Sequence, residues 1–415
     1  MSDGGPCGAA FRERRNRFRP SHNGTQQGWR LPVSIAGRNQ TRRNSGSDRD
    51  DGVTGFLSDN TSPPAPALLD RLLKVLGTGG AAYAEDDITT ATRARLGEIF
   101  ECELEFFPIL TGTAANALAI AQLSGRFGEV ICDRNSHIFV DECGAVEFHS
   151  QARLRPVASH QGKIRPEDLP SLADSGDVHH GKPTVLSLSQ STETGLVYRP
   201  DEIAFLAGNA RAAGMRVHMD GTRFANAFAA TGASPADLSW RAGVDVLCLG
   251  ATKGGAIGAE AVIFFSPGHA LEFRRMMKRA GHLGARMWFL SAQISAWLDS
   301  DFWLYAARHC NAMAALLDQT LRAGGIQPLY PAEANMVFVE MSVDQSKFLM
   351  DSGFPHYLVE QPSGCRAARL VTSHDTQEAE VKALALAIED CFATQAMVAP
   401  QEEVANFLRG SAANE

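Results

Sequence analysis

Three short segments carry residue types that could do chemistry together. Leu249-Gly250-Ala251-Thr252-Lys253-Gly254-Gly255 sets a lysine among small residues, with no carboxylate close by in sequence. A partly desolvated lysine has a lowered pKa and can form a Schiff base with a carbonyl. The flanking glycines let a flat ring approach the backbone. His218-Met219-Asp220-Gly221-Thr222-Arg223 offers a carboxylate suited to a protonated heterocycle, which needs such a partner to act as an electron sink. Arg223 suits an anionic oxygen or a carboxylate. Thr111-Gly112-Thr113-Ala114-Ala115-Asn116 is a small hydroxylated turn that opens a helical pattern, where N–H groups and the helix dipole suit a phosphate. Each segment alone has a plainer reading: a solvated loop lysine, an Asp–Arg pair at a turn, an ordinary N-cap. His218, two residues before Asp220, shares its strand face and reads as a core or supporting histidine.

All three segments follow short apolar runs. Leu104–Phe107, Glu129–Cys132, Thr184–Leu188, Met215–Met219, Val244–Leu249 and Ala261–Phe265 read as strands. Amphipathic stretches such as Asp201–Ala213 lie between them and read as helices. Nearly continuous apolar strands alternating with helices imply a mostly parallel sheet covered on both faces. Such a sheet binds ligands at the C-terminal ends of its strands, where these three segments fall. A later region, about 345–393, reads as a smaller α/β unit, with a strand at Arg369–Thr372 and a helix over Gln377–Phe392.

A phosphate turn, then a strand-end aspartate, then a lysine about thirty residues later is the order found in pyridoxal-phosphate enzymes of the aspartate-aminotransferase fold. From about residue 55 to 393 the chain resembles the low-specificity L-threonine aldolases of the β-eliminating lyase group. The motifs that carry the resemblance are Ser58-Asp59-Asn60, Tyr83-Ala84-Glu85-Asp86, Thr111–Asn116, Ser136-His137-Ile138, Asp220-Gly221-Thr222-Arg223, Thr252-Lys253-Gly254 and Arg369-Leu370-Val371-Thr372. The resemblance implies a large sheet domain at 53–310, a small C-terminal domain at 311–393, and pyridoxal 5'-phosphate as cofactor.

It also implies roles. Lys253 would hold the cofactor, with Thr252 beside it, Asp220 at the ring nitrogen, and Gly112 and Thr113 around the phosphate. His137 would stack on the ring and move protons. Arg223 would lie near the ring oxygen and the substrate carboxylate. Ser58 and Arg369 would grip that carboxylate, and His179 would lie near the substrate hydroxyl. The implied reaction cleaves threonine, allo-threonine and related β-hydroxy-α-amino acids to glycine and an aldehyde. The base stays open between His137, His179 and a water. A homotetramer is implied, and no metal site is expected. Two other readings stay open: β-elimination from an aromatic or sulfur amino acid, and a catalytically silent binding protein on the same scaffold.

Three departures from the family pattern stand out. Trp288 in Arg286-Met287-Trp288 replaces an arginine, which bears on cofactor affinity and would reshape the site toward larger side chains. Thr222 adds a hydroxyl where alanine is common. Gln190 and Glu193, in Ser189-Gln190-Ser191-Thr192-Glu193-Thr194, carry no assigned role.

Composition narrows the class further. A net charge of −8 disfavours a nucleic-acid partner. Eight cysteines without a CxxC pair read as reduced thiols in a cytoplasmic protein. No apolar run approaches the ~18 residues of a membrane helix. Residues 1–52 hold ten arginines and no lysine, without hydrophobic period, and read as a disordered extension. Residues 394–415 read as a frayed tail.

Overall fold

The computed structural model describes residues 55–393, apart from 171, 173–175 and 362. The expected extension at 1–52 and tail at 394–415 lie outside the described residues. No described helix is long and apolar enough to cross a membrane.

Seven strands form the large sheet: β1 (Glu105–Ile109), β2 (Gly128–Asp133), β3 (Arg153–Val157), β4 (Lys182–Ser189), β5 (Arg216–Gly221), β6 (Val246–Gly250) and β7 (Glu260–Phe264). Their order is β1-β7-β6-β5-β4-β2-β3. Strands β3, β2, β4, β5 and β6 run parallel, and β7 is antiparallel to both β6 and β1. Every residue of β2, β6 and β7 is buried. That is why these strands read as unbroken apolar runs rather than alternating ones. β3 alternates arginine with apolar residues, lies at the sheet edge, and is absent from the sequence reading.

The helix Gly112–Ser124 packs on β4, β5, β6 and β7. It is small and apolar almost all round, as a helix buried on several sides must be. All the strand ends that matter converge on one edge. Ile109 and Gly250 both pair with Glu260, and Gly221 lies opposite Leu249.

A second, antiparallel sheet has the order β8 (Met336–Glu340), β10 (Arg366–Val371), β9 (Tyr357–Glu360). Its own core includes Leu317, Leu321, Val337, Val339, Leu370, Leu384 and Ile388. The helix Phe302–Ala323 joins the two cores, with Trp303 and Ala307 in the large one and Leu317 and Leu321 in the small one. Phe56 also lies in the small core, and its carbonyl accepts from the Val371 N–H at 2.9 Å. This bond anchors the segment that carries Ser58 and Asp59 beside β10.

Candidate active site

Lys253 sits in the 3-10 turn Thr252–Gly254, three residues beyond β6. The turn is tightly held. A Cβ on Gly254 would lie 2.5 Å from the Trp297 indole nitrogen, which itself donates to the Gly254 carbonyl at 3.2 Å. Gly255 closes the turn at φ +104°, which disfavours any other residue. Glu260 accepts from the Ala251 N–H at 2.9 Å, and burial pushes its carboxyl up to about 7. The Thr252 hydroxyl accepts from the Ala259 N–H at 3.1 Å, so it ties the loop together. The Lys253 amine has no hydrogen bond or ion pair among the described residues. Burial, and then Arg223, lower its affinity for a proton. That is the environment of a nucleophilic amine.

Asp220 ends β5. Its Oδ1 accepts from the Thr222 N–H at 3.1 Å and the Thr222 hydroxyl at 2.7 Å, and its Oδ2 accepts from Asn116 Nδ2 at 3.0 Å. Burial alone would raise its pKa. The two Thr222 bonds, together with the nearby His218 and His137, outweigh burial, and the carboxyl stays below its usual range. His218 lies fully buried beneath it, 2.9 Å from the Ser187 hydroxyl and 3.4 Å from the Cys248 sulfur. Burial pulls its pKa down to about 4, which makes it a neutral core histidine.

The helix Gly112–Ser124 begins beside this aspartate. Thr111 is its N-cap and accepts from the Ala114 N–H at 3.2 Å. The N–H groups of Gly112 and Thr113 have no partner within the helix and point outward from its positive end. A Cβ on Gly112 would meet only the Thr222 hydroxyl, at 3.7 Å. One turn further in, Asn116 reaches Asp220. A single helix thus serves both the Gly112–Thr113 turn and the Asp220 carboxylate.

His137 opens the short helix His137–Val140 after β2. Its Nδ1 lies 2.9 Å from Glu142 Oε1, which also accepts from Asn116 Nδ2 at 2.9 Å. His137, Glu142, Asn116 and Asp220 therefore form one chain of contacts. The Glu142 hydrogen bond holds the His137 pKa above its usual value despite burial, with help from Asp220 and Glu193. Glu142 escaped the sequence reading. Its side chain is fully buried, and nothing in its own neighbourhood announces it.

Arg223 is paired within the protein. Its Nε and Nη2 bind Asp59 Oδ2 and Oδ1 at 2.8 and 2.9 Å, and both side chains are buried. Two donor positions of the fork are thus spent on a protein carboxylate rather than left for a ligand. Asn335 adds a third bond to Asp59, at 3.1 Å. Ser58 caps the adjoining turn, accepting from the Asn60 N–H at 3.2 Å. Arg369, on β10, has no hydrogen bond or ion pair among the described residues. Burial and Arg223 lower its pKa, while Asp59 and Glu193 oppose them. An unpaired, half-buried guanidinium is costly unless an anion completes it.

His179 is not brought to this site within the chain. It is exposed, and its N–H donates to Asp177 at 2.9 Å. It precedes β4, whereas the site lies where β4 ends. An eight-residue strand separates those edges by roughly 25 Å. Trp288 is buried against Gly80, whose Cβ would stand 3.3 Å from the indole, so it packs on the 80–86 segment. Arg286 is exposed. Gln190 is structural, bonded to the backbone N–H and carbonyl of Tyr198 at 3.0 and 2.9 Å. Glu193 lies within electrostatic reach of His137, Arg223, Lys253 and Arg369, so it faces the site.

The arrangement offers, among the described residues, an uncommitted amine, an ionised carboxylate and a helix-opening turn at one edge of the large sheet, with an unpaired guanidinium supplied from β10 of the small sheet. Those are the groups needed to hold a phosphorylated pyridine aldehyde and an amino-acid carboxylate together. The family model for β-eliminating lyases matches residues 55–344. A low specificity L-threonine aldolase from a Pseudomonas species is 38% identical over 333 residues, which are 80% of this chain and 95% of that protein. The Pseudomonas aeruginosa protein of the same name is also 38% identical, over 81% of this chain and 97% of its own. Among solved structures, a Leishmania major threonine aldolase superposes with a TM-score of 0.75 at 26% identity, covering 81% of this chain and 98% of that one.

Proposed function

The chain belongs to the β-eliminating lyase family, with low-specificity L-threonine aldolases as its relatives, and on that premise we propose a specific division of labour at the strand-end site. The protein is a pyridoxal-phosphate-dependent carbon–carbon lyase that cleaves threonine, allo-threonine and related β-hydroxy-α-amino acids to glycine and an aldehyde. The observation that carries the reading is the Lys253 amine, part-buried, without a partner among the described residues, and with Arg223, Asp59 and Glu193 as neighbours in common with Arg369.

Lys253 would hold the cofactor, with Asp220 at its ring nitrogen and the Gly112 and Thr113 N–H groups at its phosphate. When bound, pyridoxal phosphate supplies the electron sink for the pair left at Cα. Arg369 binds the substrate carboxylate and so orients the Cα–Cβ bond. Arg223 stays paired with Asp59 and shapes this pocket rather than gripping the carboxylate itself. His137 takes the β-hydroxyl proton through Nε2 as the aldehyde leaves, a form of help worth ~10²–10⁴-fold. His179 would serve such a site only from another subunit.

The finer reading is a cytoplasmic homotetramer. The seven described cysteines are all unpaired, which suits a reducing compartment. Phe139, Val140 and Phe148, close in sequence to His137, are 43, 57 and 79% exposed, which suits a subunit contact beside the site.

The test is to incubate the purified protein with pyridoxal phosphate and L-allo-threonine, following acetaldehyde and the visible spectrum, with Lys253→Ala alongside. A cofactor band and acetaldehyde, both lost in the variant, are the expected result. A band without acetaldehyde would move the reaction to β-elimination, and no band would overturn the cofactor site.

A further inference from the structure

We propose that Glu142 is the positioning residue of His137: it fixes the imidazole with its proton on Nδ1 and leaves Nε2 as the free base. The inference rests on the functional reading above and adds a residue to it that no motif in the sequence singles out.

The geometry is closed on three sides. The Nδ1···Oε1 distance of 2.9 Å is a hydrogen bond, and the same Oε1 accepts from Asn116 Nδ2, so the geometry assigns the acceptor role to Glu142 and the proton to Nδ1. The Glu142 carboxylate is itself held. Asn116 Nδ2 has two hydrogens and uses both, one on Glu142 Oε1 at 2.9 Å and one on Asp220 Oδ2 at 3.0 Å. Turning that amide over would set its oxygen against two carboxylates, so its orientation is fixed as well. The imidazole thus inherits its placement from the helix Gly112–Ser124, the element that also serves Asp220.

The surroundings are one-sided in charge. Glu142 faces His137 from its own loop, Asp220 from β5 and Glu193 from the loop after β4, and all three favour imidazolium while burial opposes it. Burial raises the Glu142 pKa and Asp220 adds to the rise, while the hydrogen bonds with His137 and Asn116 oppose it and favour the carboxylate. Its Oε2 and the Asn116 Oδ1 are buried with no partner among the described residues. A buried, under-satisfied carboxylate is poor for stability, and an apolar residue of similar size would cost less. Its presence is accounted for by what it does to His137.

The experiment is a pH titration of the cofactor-loaded enzyme with isotopically labelled histidine, read by NMR, in the wild type and in Glu142→Gln. His137→Asn identifies the resonance. In the wild type, His137 should titrate above the ordinary 6.5 and carry its neutral-form proton on Nδ1. In Glu142→Gln the midpoint should fall by about one unit, a tenfold loss of proton affinity, and the acid limb of the kcat/KM profile should move with it. An unchanged midpoint in the variant overturns the proposal. If Glu142→Gln does not fold, the wild type decides alone, because a neutral His137 protonated on Nε2 also overturns it. None of these NMR outcomes depends on aldehyde release, so a failure of the proposed reaction would be seen separately.

Discussion

Asp59 and Arg223, 164 positions apart in the chain, meet as a buried two-point ion pair at 2.8 and 2.9 Å. The pair ties the N-terminal segment to the end of β5, and both of its members lie within electrostatic reach of Lys253 and Arg369. Removing one partner leaves the other charge buried and alone. Asp59→Ala should therefore lower stability by about 3–5 kcal/mol, measured by urea unfolding, a loss far larger than a surface change gives.

The same pair predicts an acid dependence. Burial pushes the Asp59 pKa up, but Arg223, Lys253 and the Asn335 hydrogen bond outweigh it and bring the carboxyl from 3.8 down to about 2. A folded pKa below the unfolded value adds stability that is full above pH ~4 and lost as pH falls towards 2. Unfolding curves in that window should show a loss in the wild type that Asp59→Asn does not show.

Among the described residues no anion pairs with Arg369, so its partner should be the substrate. Arg369→Ala should raise KM for L-allo-threonine by roughly 10–100-fold, the worth of a charge-assisted hydrogen bond. The Lys253 cofactor band should persist. A KM within twofold of the wild type would remove Arg369 from the substrate site.

Both the N–H and the hydroxyl of Thr222 donate to Asp220 Oδ1. Thr222→Ala removes only the 2.7 Å hydroxyl bond. The Asp220 carboxylate should then hold its proton more readily, and kcat should fall about 2–10-fold, in line with one neutral hydrogen bond. Steady-state kinetics at fixed pH would show it.

Gly254 leaves no room for a methyl group, with the Trp297 indole nitrogen 2.5 Å from where a Cβ would stand. Gly254→Ala should cost about 1–3 kcal/mol and weaken cofactor capture, because the loop must shift and Lys253 with it. Gly258, whose Cβ would meet only Leu110 at 3.7 Å, is the control. Gly258→Ala should stay within about 0.5 kcal/mol by the same unfolding measurement.

What the sequence determined by itself is whatever physics writes locally. Strands buried on both faces, such as β6 and β7, appear as unbroken apolar runs, so the large sheet was legible. Because ligands gather where such strands end, Lys253, Asp220 and the Gly112–Thr113 turn could be picked out from position and residue type. The motif order then pointed to the family. Only the tertiary structure decided the partners of these groups. Asp59 finds Arg223, Arg369 finds no anion among the described residues, and Glu142 and Asn116 join His137 to Asp220. These contacts span separate elements and leave no period or turn signal in the chain. His179 shows the reverse case. It stands in a plausible stretch of sequence, but it lies at the start of β4 while the site lies at its end, and the length of an eight-residue strand keeps them apart.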